Sequence, residues 1–152
     1  MISRRAFLLF FGTAPAFAQL PPNISAQRQA ALRDAMRKVT GGAAVRTGKV
    51  SISIPPLIDN GNTVPISVTV DSPMTEKEHV KAIHIFTEKN PQPYVLNAQL
   101  GPRAGRAMVS TRARIADTGQ VIAIAQLSDG SFWSDTVSVV VTLSACLEDG
   151  LI

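Results

Sequence analysis

Cysteine and aromatic residues are scarce in this chain. Its 152 residues include one cysteine, Cys146, one tryptophan and one tyrosine. A lone cysteine has no intrachain disulfide partner, so its thiol is buried, pairs with another chain or reacts. A two-cysteine peroxidase would need a second thiol. Two histidines, His79 and His84, are too few to complete a zinc site, and neither His nor Met follows Cys146 as a blue-copper centre would require. We therefore expect no metal or other cofactor.

Clustered positive charge is also missing. The chain has 15 basic and 11 acidic residues, and two of the basic ones, Arg4 and Arg5, lie in a predicted leader. Without those two, 13 basic residues face 11 acidic ones, a net charge of +2 spread along the sequence. A small, dispersed excess with few aromatics is a weak signal for nucleic-acid binding. We expect no nucleic-acid partner.

Residues 1–18 are predicted to be an export signal. Arg4-Arg5 precede a short apolar run, residues 7–11, and Ala16-Phe17-Ala18 frame a cleavage site. Paired arginines before Phe-Leu are typical of the twin-arginine route, although an ordinary secretory signal with two arginines remains open. The apolar run is far shorter than the ~20 residues that span a bilayer. The sequence thus predicts a soluble periplasmic protein without a membrane anchor.

Residues 19–44 are predicted to form a helical lead. Ser25 is placed to cap a helix over residues 26–38, which Gly41-Gly42 would end. Apolar residues at helical spacing form one narrow stripe, which we expect to pack on the domain or on a partner subunit: Ala31, Leu32, Ala35, Met36 and Val39.

Residues 45–143 change to a period of two, which places one face of each strand in a core. Seven strands are predicted, over residues 50–54, 64–70, 82–87, 94–100, 107–115, 121–127 and 136–143. Turn-forming clusters such as Asp59-Asn60-Gly61-Asn62 separate them. This spacing favours an all-β, immunoglobulin-like antiparallel β-sandwich.

Several aromatic or titratable side chains of this sandwich leave alternatives open. His84 alternates with Ile83 and Ile85, and we expect it to be a half-exposed sheet residue rather than a ligand. Trp133, with Phe132 and Phe86, either fills the core or faces a partner, since aromatic side chains anchor interfaces.

Several segments in a fixed order resemble the Y subunit of the bacterial sulfur-oxidation (Sox) carrier protein. They are PLIDNGNTVPISV (56–68), VDSPMT (70–75), HIF (84–86), NP (90–91), GRA (105–107), STR (110–112) and SDGSFW (128–133). The resemblance spans residues 49 to 143, and the Arg-Arg leader is also what that family uses.

The resemblance implies a carrier rather than an enzyme. In that family a cysteine near the carboxyl terminus binds sulfur intermediates covalently, and Cys146 corresponds to it. The implied partners are a Z-like subunit in a heterodimer, a c-type cytochrome, a sulfate-thiol hydrolase and a molybdenum–haem sulfane dehydrogenase. The cargo implied is thiosulfate and its derivatives.

The tail, residues 144–152, departs from the family's Gly-Gly-Cys-Gly-Gly arm. It reads Ser144-Ala145-Cys146-Leu147-Glu148, so the glycines that widen backbone freedom are absent. Glu148 and Asp149 disfavour a thiolate and repel an anionic cargo. Two interpretations remain: a working carrier with an altered arm, or a non-carrier interaction module in which Cys146 extends the last strand.

Overall fold

The computed structural model describes residues 22–143, which form one helix, nine strands and a short 3₁₀ helix. The helix is α1 (Pro22–Thr40). The strands are β1 (Val45–Thr47), β2 (Val50–Ser53), β3 (Leu57–Ile58), β4 (Val64–Val70), β5 (Val80–Thr87), β6 (Tyr94–Gln99), β7 (Met108–Ala113), β8 (Gly119–Leu127) and β9 (Phe132–Val141). The 3₁₀ helix is Pro102–Ala104. The predicted leader, residues 1–18, lies outside the described residues.

The strands form two sheets, which confirms the predicted immunoglobulin-like sandwich. The larger sheet has the order β1-β9-β8-β5-β6, with β3 pairing β9 as well, and the smaller has the order β2-β4-β7. Pairing is antiparallel except for β1 and β3, which run parallel to β9. The prediction of seven strands missed these two because two or three residues are too few to show an alternating pattern.

The main core lies between the two sheets. Val64, Ile66, Val68 and Val70 of β4 are each at most 3% exposed, and the residues between them face outward. From the larger sheet, side chains such as Ile85 of β5 pack into the same cluster. Burying each such side chain contributes about 1.5–3 kcal/mol, so this alternation largely fixes the sandwich.

Helix α1 forms a third layer on the outer face of the larger sheet. Leu32 packs there with Phe86, Ile122, Ile124 and Phe132, and Ala35, Met36 and Val39 pack against this second cluster. The predicted apolar stripe therefore packs on its own domain. The predicted helix start is wrong, because α1 begins at Pro22 and includes Ser25. Proline is accepted in a first helical turn, where its missing N–H has no intrahelical acceptor.

The chain from β1 to β3 crosses between the sheets and returns. After pairing β9, it turns at Gly48 and Lys49, both with positive φ (113° and 56°), and enters the smaller sheet as β2. The carboxylate of Asp135 in β9 accepts a hydrogen bond from Ile52 N at 2.9 Å. The chain then rejoins β9 as β3, so one edge of β9 is bordered by β1 at its start and by β3 at its end.

Trp133 belongs to β9, which begins at Phe132 and not at 136 as predicted. Its ring is half-buried against the main core, while Arg46 and Lys49 place their charged groups 5.5 and 5.4 Å from the ring centre. Trp133 thus acts mainly as core, and cation–π contacts hold the β1–β2 turn over it.

Candidate functional site

Residues 141–143, the last that the structure describes, are held by hydrogen bonds on both sides. Thr142 N donates to Ile58 O at 2.9 Å, and Leu143 O accepts from Gly61 N at 3.0 Å. On the other side, the Thr118 hydroxyl accepts from Val141 N at 2.9 Å. These bonds satisfy backbone groups of the last residue of β9 and of the two residues after it, and they fix the position from which the tail leaves.

Cys146, the one site residue predicted from the sequence, lies outside the described residues. Its attachment point is nevertheless defined, because only Ser144 and Ala145 separate it from Leu143. An extended chain advances at most about 3.6 Å per residue, so the Cα atom of residue 146 is within about 11 Å of that of Leu143. Chemistry at this thiol must take place close to the end of β9.

Three exposed apolar side chains surround that end. Leu57 and Val140 are 59% and 51% exposed and lie opposite each other in the β3–β9 pair. Leu143, three residues after Val140, is 56% exposed. We call these three residues the root patch. Among residues 22–143 the other exposed large apolar side chains are Tyr94 on β6 and Met108 on β7, so three of these five lie near the end of β9.

Acidic residues border the root patch. Asp59 and Asp117 are both exposed. Asp59 follows β3 directly, and its carbonyl oxygen accepts a hydrogen bond from the Thr142 hydroxyl at 3.0 Å. Asp117 precedes Thr118, which bonds Val141. Two carboxylates thus lie near the end of β9, and exposed Arg114 lies close to it as well, because the next residue donates from Ile115 N to Gly61 O at 2.8 Å.

His84 is buried, so the expectation that it is half-exposed is wrong. It is 6% exposed on the outer face of the larger sheet, and its Nδ1 bonds the Tyr94 hydroxyl at 2.7 Å. Its Nε2 has no hydrogen-bond partner. Desolvation lowers the pKa of His84 and raises that of Tyr94, which favours the neutral forms of both.

The His84–Tyr94 pair was missed because it spans a hairpin. The signal was present: Asn90-Pro91 marks a turn that folds β6 back onto β5, and Phe86 pairs with Tyr94, whose rings stack 4.9 Å apart. Through Ile124, His84 lies level with Ser134 of β9, six residues before Val140. At about 3.3 Å per residue that is about 20 Å along the strand, so the structure does not bring His84 to the root patch.

Two open grooves lie elsewhere on the molecule. One, of about 740 Å³, is mostly apolar and lies between α1 and the β5–β6 turn, with Ala35, Val39, Pro93 and Tyr94 among its lining residues. The other, of about 450 Å³, lies at the start of β2 and β7 and includes Lys49 and Arg106.

Neither a metal cluster nor a membrane helix occurs in the part of the chain that the structure describes. In residues 22–143, no three side chains of His, Cys, Asp or Glu are grouped so that they could hold a metal ion. Within the same residues, no helix is long and apolar enough to cross a bilayer.

Comparison with known proteins gives one family and one fold. The family model "Sulfur oxidation protein SoxY" matches residues 36–146. The sulfur carrier protein SoxY from Chlorobium limicola f thiosulfatophilum is 28% identical, with a TM-score of 0.63 over 75% of this chain and 98% of that one. A search of curated proteins finds no match.

The same fold occurs in superoxide reductases. Superoxide reductase (neelaredoxin) from Ignicoccus hospitalis is 13% identical, with a TM-score of 0.57 over 64% of this chain and 94% of that one. Superoxide reductase from Nanoarchaeum equitans is 14% identical, with a TM-score of 0.53 over 63% and 100%. At these identities the likeness is one of fold alone.

Proposed function

Since this chain belongs to the sulfur oxidation protein SoxY family, we propose that it carries sulfur intermediates covalently on Cys146 and presents them to enzymes in the periplasm. Membership of the family makes it a sulfur carrier protein rather than an enzyme. The observation that carries the proposal is that the family match extends to residue 146 and so includes the cysteine. That cysteine lies three positions after Leu143, whose carbonyl oxygen accepts a hydrogen bond from Gly61 N.

The proposed carrier has four parts. Residues 1–18 direct export by the twin-arginine route and are removed. Residues 19–44 form the helical lead, residues 45–143 the sandwich, and residues 144–152 an arm bearing the thiol. A Z-like subunit forms a heterodimer with the sandwich and is exported with it.

Loading is a two-electron oxidation. The Cys146 thiolate and the outer sulfur of thiosulfate form an S–S bond, the thiol proton goes to solvent, and the c-type cytochrome accepts two electrons. The hydrolase then adds water across the terminal S–S bond, which releases sulfate and leaves a persulfide on Cys146. The molybdenum–haem enzyme accepts six electrons as three water molecules convert that remaining sulfur to a sulfonate, and a second hydrolysis releases sulfate and regenerates the Cys146 thiol.

The altered arm shapes what this carrier can do. Because Ser144 and Ala145 replace glycines, fewer backbone conformations are open to the chain before the thiol. Glu148 and Asp149 raise the electrostatic cost of a thiolate beside an anionic cargo, so loading is slower than with a Gly-Gly-Cys-Gly-Gly arm. The arm still enters narrow enzyme active sites, but its thiol is loaded more slowly.

The test is loading of the mature protein, in complex with its Z-like subunit, by thiosulfate and the c-type cytochrome. Intact-mass spectrometry before and after reductant should show a thiosulfate-sized adduct that reductant removes. Cys146→Ser should show none. If wild type stays unmodified while a Gly-Gly-Cys-Gly-Gly homologue in the same tube is loaded, the protein is instead an interaction module without carrier activity.

A further inference from the structure

The turn between β3 and β4 contains the one asparagine of the sequence that precedes a glycine, Asn60. The residues that follow the five asparagines are Ile24, Gly61, Thr63, Pro91 and Ala98. The backbone nitrogen after an asparagine can attack the side-chain amide and close a five-membered ring, and a side chain on that next residue hinders the attack. Glycine has no side chain, so Asn60-Gly61 meets the least steric hindrance to this reaction.

Two donors surround the oxygen on which charge develops when that ring closes. Asn60 Oδ1 accepts hydrogen bonds from the backbone N–H and from the side-chain Nδ2 of Asn62, both at 2.9 Å. When a nitrogen attacks Cγ of Asn60, the tetrahedral intermediate carries its negative charge on this oxygen. Donors about 2.7–3.1 Å from such an oxygen stabilise the transition state, as the oxyanion hole of an acyl-transfer enzyme does. The turn therefore favours attack on its own side chain.

The attacking nitrogen also holds the end of β9. Gly61 is buried, and its N–H donates to Leu143 O at 3.0 Å. The same N–H must lose its proton before the nitrogen can attack Asn60. The two uses exclude each other, so the ring closes only in molecules in which Leu143 has separated from Gly61.

The reaction needs neither an oxidant nor a cofactor. The Gly61 N–H gives its proton to a base in the solvent, a bond forms between Gly61 N and Asn60 Cγ, and the Cγ–Nδ2 bond breaks to release ammonia. Water reaches the product because Asn60 is exposed, and it opens the succinimide at one of its two carbonyl carbons. Opening at the side-chain carbon leaves aspartate. Opening at the main-chain carbon leaves isoaspartate, whose backbone is one methylene longer.

We propose that Asn60-Gly61 is a self-modifying site, and that its conversion to succinimide and then isoaspartate removes the hydrogen bond that holds Leu143. The imide nitrogen has no hydrogen to donate, so Leu143 O loses its partner. The added methylene of isoaspartate then displaces Gly61, and a new carboxylate lies beside Asp59. This inference goes beyond the proposed function and does not depend on it, because the reaction takes place within the chain.

The test follows each asparagine while the mature full-length protein is incubated at pH 8. Peptide mapping by mass spectrometry separates asparagine, aspartate and isoaspartate at each position. Asn97 is the internal control, since it is exposed on β6 and its Oδ1 accepts one hydrogen bond, from Gln99 Nε2 at 3.0 Å. We expect Asn60 to convert at least about tenfold faster than Asn97. An Asn60 that stays intact, or that converts no faster than Asn97, would overturn the proposal.

Asn62→Ala tests the contact with the oxyanion. It removes the Nδ2 donor of an exposed side chain, so the fold is retained, and the conversion of Asn60 should slow about threefold or more. A rate equal to that of the parent would show that these donors do not drive the reaction.

Thr142→Val tests whether the bond to Leu143 limits the reaction. The Thr142 hydroxyl donates to Asp59 O at 3.0 Å, so its loss loosens the end of β9 and should speed the conversion of Asn60 about twofold. Thr136→Val, the same exchange at an exposed position nearer the middle of β9, should leave the rate unchanged. Equal rates in the two variants would refute control by the end of β9.

Amide hydrogen exchange measures the consequence for the fold. After conversion, exchange should be faster at Thr142 N, which donates to Ile58 O at 2.9 Å beside the lost bond. Asn60→Asp adds the charge but keeps the Gly61 N–H, and its exchange should match that of the parent. If Asn60→Asp exchanged as fast as the converted protein, the added charge and not the lost N–H would loosen the end of β9, and the proposed effect on Leu143 would be wrong.

Discussion

The two ends of β9 carry apolar residues on the same face of the same sheet, yet one end is closed and the other is open. Phe132 at the start is 6% exposed, because α1 packs over it together with Phe86 and Ile124. Val140, eight residues later and with the same orientation, is 51% exposed. What differs is the cover, since the helix extends over the first end and only the two-residue strand β3 borders the second.

This difference separates a covered end from an uncovered end within one strand. Burial at the closed end stabilises the sandwich and joins the helix to it. At the open end the strand contributes little further burial, and it offers an apolar surface beside the point where the tail begins. The predictions that follow test whether the two ends divide these roles.

The largest effect is expected from truncating the same face at each end. Phe132→Ala should lower the free energy of unfolding by about 3–5 kcal/mol, because it removes a buried ring and leaves a cavity beneath α1. Val140→Ala should change it by no more than about 0.5 kcal/mol. Urea unfolding of both variants measures this, and equal losses would show that the open end is also part of the folded core.

Between the two ends, the Asp135 carboxylate links β9 to β2 through the Ile52 N–H. Asp135→Ala should cost about 2 kcal/mol, since a hydrogen bond to a charged acceptor is lost and a donor is left without its partner. Asp135→Asn keeps an acceptor at that position and should lose less. Should the two variants unfold at the same denaturant concentration, this hydrogen bond does not contribute to joining the sheets.

The burial of His84 should also make the stability of the protein depend on pH. Burial lowers the pKa of His84 in the folded protein, whereas in the unfolded chain it has its ordinary value of about 6.5. Below about pH 6.5 the unfolded state binds a proton that the folded state does not. The free energy of unfolding should therefore fall as the pH falls, by at most about 1.4 kcal/mol per pH unit, and level off below the folded pKa.

Stability measured from pH 8 to pH 5 provides the check. His84→Gln should flatten this part of the curve, while His79→Gln, which removes the other histidine and leaves the buried one in place, should keep it. An unchanged slope in His84→Gln would mean that other groups cause the dependence.

The smallest effect concerns the charges of the open end. Asp59→Asn with Asp117→Asn should slow association with the cytochrome a few-fold and make the rate less sensitive to salt, because long-range attraction is screened over about 10 Å at 0.1 M. Asp34→Asn with Asp71→Asn removes two exposed acidic groups elsewhere. If both pairs slow association equally, net charge and not the open end guides the encounter.

The sequence predicted the sandwich well because alternation is a local property. Val64, Ile66, Val68 and Val70 are buried as their spacing requires, and the stripe on α1 packs where a narrow apolar face is expected to pack. The same local logic failed for β1 and β3, which are too short to show a period. It also failed for His84, which is buried and whose Nδ1 bonds the Tyr94 hydroxyl of the neighbouring strand.

For the candidate site, the sequence indicated one thiol, and the structure describes the end of β9 that precedes it. Cys146 is the single cysteine of the sequence, and the resemblance gives its thiol a role that remains a proposal. Nothing in the periodicity marked Leu57 and Val140 as neighbours. They meet because β3 returns to pair with β9 after the chain has crossed to the other sheet.

By itself, the sequence determined the strand periods, the apolar face of the helix and the position of the single thiol, because each depends on residues close together in the chain. Only the tertiary structure decided which apolar side chains are covered. Exposure depends on which distant segments pack over a residue. Phe132 and Val140 share a strand and a face, and they differ because α1 reaches one and not the other.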